Sequence, residues 1–381
     1  MNKGLDVAVV GGSAAGLLTA GILARAGRAV EVFERATRPD PIRRTLIVTD
    51  ALRPLLGSAA DEATVNEINR FELFADGRVA TIELERPDLI VERARVVTAL
   101  ADSARAAGAC ISYGTRFLGL QGSNYGVGLA LRPNGGEPRA IVSDVVVGAD
   151  GANSKVARAA GWPPQPTVPL VQAIVEMPTG MAADTSRVWF RPDDTPYFYW
   201  LVPESDSRGA LGVIGEDGAT TRRRLDRFLE EHGFKALGYQ GAVIPAYERW
   251  IPVREKVGSG EVYLVGDAAG QVKVSTVGGL VTGLKGAAAV ADAILDGGSD
   301  RALTRLRREL NLHLLIRRAM HDFDQDDYCF VLDQLNDAAK RSLGTHDRDD
   351  ASKILWSLLR NRPQLLLRGI RSLLLRSPVR R

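Results

Sequence analysis

The residues best suited to chemistry are the run Gly11-Gly12-Ser13-Ala14-Ala15-Gly16 and the carboxylate of Glu34. Glycine at 11 permits a tight turn, and glycine at 16 lets a helix sit close to a strand. A residue with almost no side chain is wanted between them, so that backbone N–H groups can approach a bound group. Ser13 stands where such fingerprints usually carry a glycine. Unpaired N–H groups and the positive dipole end at a helix start suit a pyrophosphate. An acid at 34 can accept hydrogen bonds from both hydroxyls of a ribose, and it would repel a ribose 2′-phosphate. Arg35 follows it directly. The pattern is that of dinucleotide capture, with the dinucleotide itself left open.

The elements that must position these residues are legible on either side. LDVAVV at 5–10 has the β-branched, uninterrupted apolar character of a buried parallel strand. A helical stretch runs to about Gly27, and a second strand, Ala29–Phe33, delivers Glu34. Two later stretches repeat the strand-to-acid arrangement. DVVVG at 144–148 leads into Asp150 within GADGANSKVAR, and VYLVG at 262–266 leads into Asp267-Ala268-Ala269-Gly270. Gly278, Gly279 and Leu280 then precede a small-residue helix at about 281–296. Each strand brings an Asp to the carboxyl edge of a sheet, where ligands of open α/β sheets sit. Asp267 is placed for a ribityl hydroxyl. The N–H groups of Gly278 and Gly279 suit the pyrimidine side of a flavin, which gains negative charge on reduction.

With these three motifs in order, the chain resembles the FAD-dependent oxidoreductases built like p-hydroxybenzoate hydroxylase. The resemblance implies an α/β (α+β) fold: a Rossmann-like FAD-binding domain, an inserted β-sheet substrate domain and C-terminal helices. It implies FAD bound by Gly11, Ser13, Ala14, Ala15, Gly16, Glu34, Arg35, Asp150, Gly266, Asp267, Gly278, Gly279 and Leu280. The family's helix-opening arginine maps onto Arg93 within VERARVVTAL at 91–100. NAD(P)H or another electron donor, which includes an electron-carrier protein, would reduce the cofactor.

Within that family, GDAAGQVK at 266–273 is similar to the geranylgeranyl reductase branch, whereas aromatic hydroxylases usually carry a histidine at the position of Gly270. The strand PYFYWLVP at 196–203 resembles the reductases' substrate-facing strand and assigns Phe198, Trp200 and Val202 to substrate contact. Alternation puts these three on one face and Tyr197 and Tyr199 on the other. Departures are clear: Val274 replaces an expected proline, Val277 a glycine, and Val281 and Thr282 two tyrosines, while PIRRTL at 41–46 lacks the reductases' cysteine. The resemblance implies hydride transfer to an unsaturated, prenyl or natural-product-like hydrophobic substrate. The alternative is a monooxygenase that hydroxylates or epoxidises a small organic substrate through a flavin hydroperoxide. Halogenation and a non-catalytic flavoprotein stand behind both.

No catalytic acid or base is singled out, since His232, His313, His321 and His346 lie outside the motifs, and no metal-ligand spacing is present. The sequence divides into an FAD-binding domain at 1–70, 91–160 and 255–298, a substrate domain at 71–90 and 161–254, and a helical region at 299–381. A net charge of +3 is too small to argue for nucleic acid. Two cysteines far apart, Cys110 and Cys329, read as reduced and mostly buried in a cytoplasmic protein. No stretch has the roughly twenty uninterrupted apolar residues a membrane span needs. Between Ile354 and Arg381 there are seven arginines and no acid, and the amphipathic part of this tail, 354–375, suits either a cap packed over the substrate lobe with its arginines solvated or peripheral contact with an anionic membrane.

Overall fold

The computed structural model describes residues 5–39, 44–297, 300–361 and 364. The described strands run β1 Leu5–Val10, β2 Val30–Glu34, β3 Thr45–Val48, β4 Thr64–Ala75, β5 Arg78–Glu92, β6 Cys110–Tyr113, β7 Thr115–Ser123 and β8 Gly126–Pro133. They continue with β9 Arg139–Gly148, β10 Thr167–Glu176, β11 Thr185–Trp189, β12 Tyr199–Pro203, β13 Arg208–Ile214, β14 Ala236–Pro245, β15 Arg254–Val257 and β16 Gly260–Leu264.

One sheet has the order β15-β16-β9-β1-β2-β6, with β8 joining through β9 and β7 through β8. Its centre is parallel. Val10 of β1 pairs with Phe33 of β2 on one side and Gly148 of β9 on the other, and Gly148 pairs with Leu264 of β16. This row fixes the geometry of the site, because Gly11, Glu34, Asp150 and Asp267 all lie within three residues of it along their own segments. The helix Ala14–Arg25 packs against the helices Arg93–Ala106 and Leu280–Leu295. Alanine and glycine fill most of the buried surface of Ala14–Arg25 and Leu280–Leu295, which permits close helix–helix and helix–strand approach.

The second sheet has the order β14-β10-β13-β12-β11-β4-β5-β3. Two of its strands arise from sequence expected in the nucleotide-binding part: β3, and β4 up to residue 70. β3 lies antiparallel on β5, with Thr45 opposite Glu92. The β-branched and aromatic residues of β4 find partners along almost the whole length of β5. One face of this sheet carries Tyr199, Leu201, Leu211 and Val213, packed under the helix Gly218–Glu231 through Leu225 and Phe228. The Tyr199 and Phe228 rings stack with centroids 4.2 Å apart. The opposite face carries Ile68, Phe71, Ile82, Ile90, Ile174, Val202 and Ala210, with Trp200 against them.

Four helices follow among the described residues, Arg301–His321, Gln325–Asp333, Asp337–Thr345 and Ala351–Asn361. The second opens on a capping box between Asp324 and Asp327, and its Tyr328, Cys329 and Leu332 pack on Ala75 and Ala80 of the second sheet. Both cysteines are free, and Cys329 is buried as expected. Cys110 is exposed instead, because it opens the edge strand β6. The basic stretch 354–375 lies mostly outside the described residues; within them, Trp356 is 75% exposed.

Candidate functional site

The three motifs meet at one point. Gly11 has φ +107°, and a Cβ there would lie 2.4 Å from the carbonyl oxygen of Ala149. A Cβ on Gly266 would lie 2.9 Å from that of Ala15, so the start of the first helix is pressed against the Asp267 turn as well. Ser13, in place of glycine, caps this helix: its Oγ accepts a hydrogen bond from Gly16 N–H at 3.2 Å. Ala14 and Ala15 are buried beside it. Glu34 accepts from Gly12 N–H at 2.6 Å and Ala36 N–H at 2.7 Å, which aims its carboxylate at the glycine turn, while Arg35 is exposed. Asp150 directs its carboxylate to the start of the helix Lys155–Ala159, accepting from Ser154 Oγ at 2.5 Å and Lys155 N–H at 2.7 Å. That contact holds the bend that presents Ala149 to Gly11.

Asp267 is deeply buried. Burial pushes its carboxyl above the usual carboxylate range, against the pull of the Arg44 and Arg93 guanidinium groups. Burial lowers both arginines in turn, with Asp267 acting to raise each. The two are linked through the backbone, Arg93 N–H donating to Arg44 C=O at 3.0 Å. Arg44 Nε is buried and has no hydrogen-bond partner among the described residues. No sequence motif pointed to Arg44. Its role comes from β3 pairing with β5, which sets the start of one strand beside the helix that begins at Arg93.

The stretch from Gly270 to Gly279 forms the other wall, and Asp267 Oδ1 would stand 3.3 Å from a Cβ on Gly279. Lys273 N–H donates to Gly278 C=O at 3.1 Å, closing the loop on itself. Val277, where a glycine was expected, has φ +53°. A β-branched residue in the left-handed region is strained, so the backbone keeps the glycine conformation despite the valine.

Distant residues hold this loop. The Lys273 ammonium pairs with the Asp349 carboxylate, both buried, and Thr49 Oγ donates to the other Asp349 oxygen at 2.6 Å. Burial alone would raise the Asp349 carboxyl, but the Lys273 charge outweighs it and holds it well below the usual range. Ser275 Oγ lies 2.7 Å from His313 Nδ1. Burial, aided by the Lys273 charge, pushes His313 down to about 4. Lys273 stood in register with the motif, but Thr49, His313 and Asp349 carry no sequence signal because each belongs to an otherwise ordinary segment.

The second sheet lies alongside. Trp200 and Val202 occupy the face away from the helix Gly218–Glu231, and Phe198 meets Trp200 edge to face at 6.2 Å. Buried Gln172 donates to Gln240 Oε1 at 2.6 Å and to Thr45 C=O at 3.3 Å. The sheet is thereby tied to β3 one residue from Arg44.

A group that fits this cradle needs an anion at the first helix and hydroxyls at Glu34. It also needs a polar chain at Asp267 and an acceptor for the unpartnered Arg44 Nε. FAD offers all four as pyrophosphate, ribose, ribityl chain and carbonyl-bearing ring. Residues 4–303 match the sequence pattern of the FAD binding domain family. The chain belongs to that family. As an FAD-dependent oxidoreductase it groups with the geranylgeranyl reductases. It is 29% identical to digeranylgeranylglycerophospholipid reductase 2 of Methanothermobacter thermautotrophicus, over 95% of this chain and 97% of that protein. It is 30% identical to geranylgeranyl diphosphate reductase of Rhodobacter capsulatus, over 79% of this chain and 78% of that protein. In fold it is similar to a geranylgeranyl bacteriochlorophyll reductase-like protein from Thermoplasma acidophilum, with TM-score 0.80, 19% identity and coverage of 97% and 99%. It is also similar to p-nitrophenol 4-monooxygenase from Pseudomonas putida, with TM-score 0.65, 18% identity and coverage of 98% and 99%.

Proposed function

We propose that this FAD-dependent oxidoreductase saturates a carbon–carbon double bond of a hydrophobic, prenyl-like substrate. The observation that carries the reading is the apolar face of the second sheet beside the cradle, where Ile174, Val202 and Ala210 cluster with Trp200. The names of the similar reductases point the same way. Reduced FAD would supply the hydride to one carbon of the double bond and be left oxidised, while the other carbon takes up a proton.

The protein's part is binding, orientation and exclusion of water. Gly11, Ser13, Ala14, Ala15, Gly16 and Glu34 hold the nucleotide end, with Arg35 at the rim and Asp150 supporting the turn. Gly266, Asp267, Arg93, Gly278, Gly279 and Leu280 hold the ribityl and ring end. The N-terminus of the helix Leu280–Leu295 stabilises the negative charge of the reduced ring. Phe198, Trp200 and Val202 offer the substrate aromatic and apolar contact, and a flexible unsaturated chain gains most from such a surface.

NAD(P)H or an electron-carrier protein serves as reductant in this reading, with the protein cytoplasmic and touching a membrane only peripherally, through its basic C-terminal stretch. None of the described helices is long and apolar enough to cross a membrane. Co-sedimentation with anionic liposomes tests the contact, and equal binding by a chain ending at 353 removes it.

The deciding experiment is an anaerobic single turnover of reduced, FAD-loaded protein with geranylgeranyl diphosphate. Return of the oxidised flavin spectrum with a product that has gained two hydrogens per reduced bond supports the proposal. No anaerobic product, followed by an oxygenated one on admitting air, replaces it with monooxygenation.

A further inference from the structure

Lys273 lies inside the loop that the cradle presents to the ring end of FAD. Its N–H donates to Gly278 C=O, and its side chain then crosses back over the same glycine. Lys273 Cε stands 2.8 Å, and Nζ 3.6 Å, from where a Cβ on Gly278 would be. The ammonium pairs with the Asp349 carboxylate, which accepts from Thr49 Oγ at 2.6 Å. Both charges are buried, Lys273 at 6% and Asp349 at 3% exposure. The start of the loop is fixed by neutral bonds instead. Gln271 Oε1 accepts from Gly266 N–H at 2.7 Å, and Thr282 Oγ donates to Gln271 C=O at 2.6 Å.

A clamp by itself needs no charge, and desolvating a buried ion pair cancels much of the attraction it gains. What the pair adds to the loop is a field. The N-terminus of the helix Leu280–Leu295 is equivalent to about half a positive charge. An ammonium carries a whole one, and burial leaves it little screened. Its reach shows at His313, where the Lys273 charge adds to burial in depressing the imidazole. Burial raises the Asp88 carboxyl, and Lys273 joins Arg348 in opposing that rise. Lys285 of the same helix Leu280–Leu295 adds a second positive charge that acts on Asp349.

We propose that Lys273 tunes the flavin, its charge favouring the anionic reduced ring held at Gly278 and Gly279, and that Asp349 limits this effect. The proposal rests on the ring lying at this loop and on no particular substrate. Lys273 is a positioning residue, acting through the loop on the potential at which the flavin takes up electrons. The three atoms nearest to the Cβ position of Gly278 all belong to Lys273, so Asp349 is the farther charge. The nearer charge prevails, and the pair keeps a net positive field at the glycine.

Reduction of the FAD-saturated protein in equilibrium with a redox dye, without substrate, reads this potential whatever reaction the flavin serves. The double variant Lys273→Met, Asp349→Leu leaves no buried charge unpaired, so it separates the field from the clamp. At a fixed dye potential its ratio of reduced to oxidised flavin is expected to fall about threefold or more below wild type. Lys273→Met alone should fall at least as far. Lys273→Arg, which keeps the charge, should stay nearer wild type than either. A double variant with the wild-type ratio overturns the proposal, as does a shift in Lys273→Arg as large as that in Lys273→Met. Gly279→Ala checks the ring placement separately. Visible flavin bands that shift or vanish in that variant support a ring at the loop, so an unchanged potential in the double variant then counts against the tuning alone. Unchanged bands overturn the placement and the proposal together.

Discussion

The two ends of the proposed cofactor cradle are built by opposite means. At the nucleotide end, backbone approaches backbone: Gly11 lies against Ala149, and Glu34 is aimed by the N–H groups of Gly12 and Ala36. Every contact there falls within a turn or between adjacent strand ends. At the ring end the loop 270–279 departs from its family pattern and is held by side chains from remote segments, Thr49, His313 and Asp349. A backbone-built site tolerates little change in residue size. A site held by buried polar side chains tolerates little change in charge.

The sharpest way to break this contrast is to remove a charge at the ring end. Asp349→Asn strands the buried Lys273 ammonium and is expected to cost about 4 kcal/mol of stability, read as a large fall in Tm with loss of bound FAD. The double variant Lys273→Met, Asp349→Leu should recover most of that loss, since no charge is left unpaired. A double variant as unstable as the sum of the two single changes would show that the pair is incidental.

Acid should act on the same wall. His313 titrates at about 4 instead of its ordinary 6.5, so the unfolded chain takes up the proton first as pH falls. Its contribution is therefore flat above pH 6.5 and is lost between 6.5 and about 4, amounting to about 3 kcal/mol. Denaturant titrations of wild type and His313→Gln across that window should diverge, the variant lacking this part of the acid sensitivity.

At the nucleotide end the expected sensitivity is to volume. Gly11→Ala should cost about 2 kcal/mol through the left-handed backbone and the clash with Ala149, with FAD retention on gel filtration falling in step. Asp150→Asn, which preserves size and most of the capping geometry, should leave FAD binding nearly intact. The smallest effect is a gain. Val277→Gly relieves the strained loop by about 1 kcal/mol net of the extra freedom of an unfolded glycine, raising Tm by about 2 °C. An unchanged or lower Tm would mean that Val277 packing outweighs its backbone strain.

The strand, glycine turn, helix and acid of residues 5–34 were legible in the sequence because each of these parts is local. A strand of β-branched residues, a glycine turn, a helix start and an acid follow within one supersecondary unit, and spacing alone orders them. The three motifs were read in the right order, and β1, β9 and β16 end on the same row of the sheet. The division into domains was less legible. β3 and β4 belong to the second sheet because their partner is β5, and pairing between strands leaves no mark on either strand by itself. Trp200 and Tyr199 were placed on opposite faces by simple alternation. Which face a helix would cover was settled only when Phe228 packed on Tyr199.

By itself, then, the sequence determined the dinucleotide turn, the order of the motifs and the family, since these rest on residue type at short, fixed spacing. The tertiary structure decided that Arg44 joins Arg93 at Asp267 and that Asp349 locks Lys273. The physical reason is the same in each case. Burial turns an ordinary charged residue into a site, and burial is a property of what the rest of the chain packs around it.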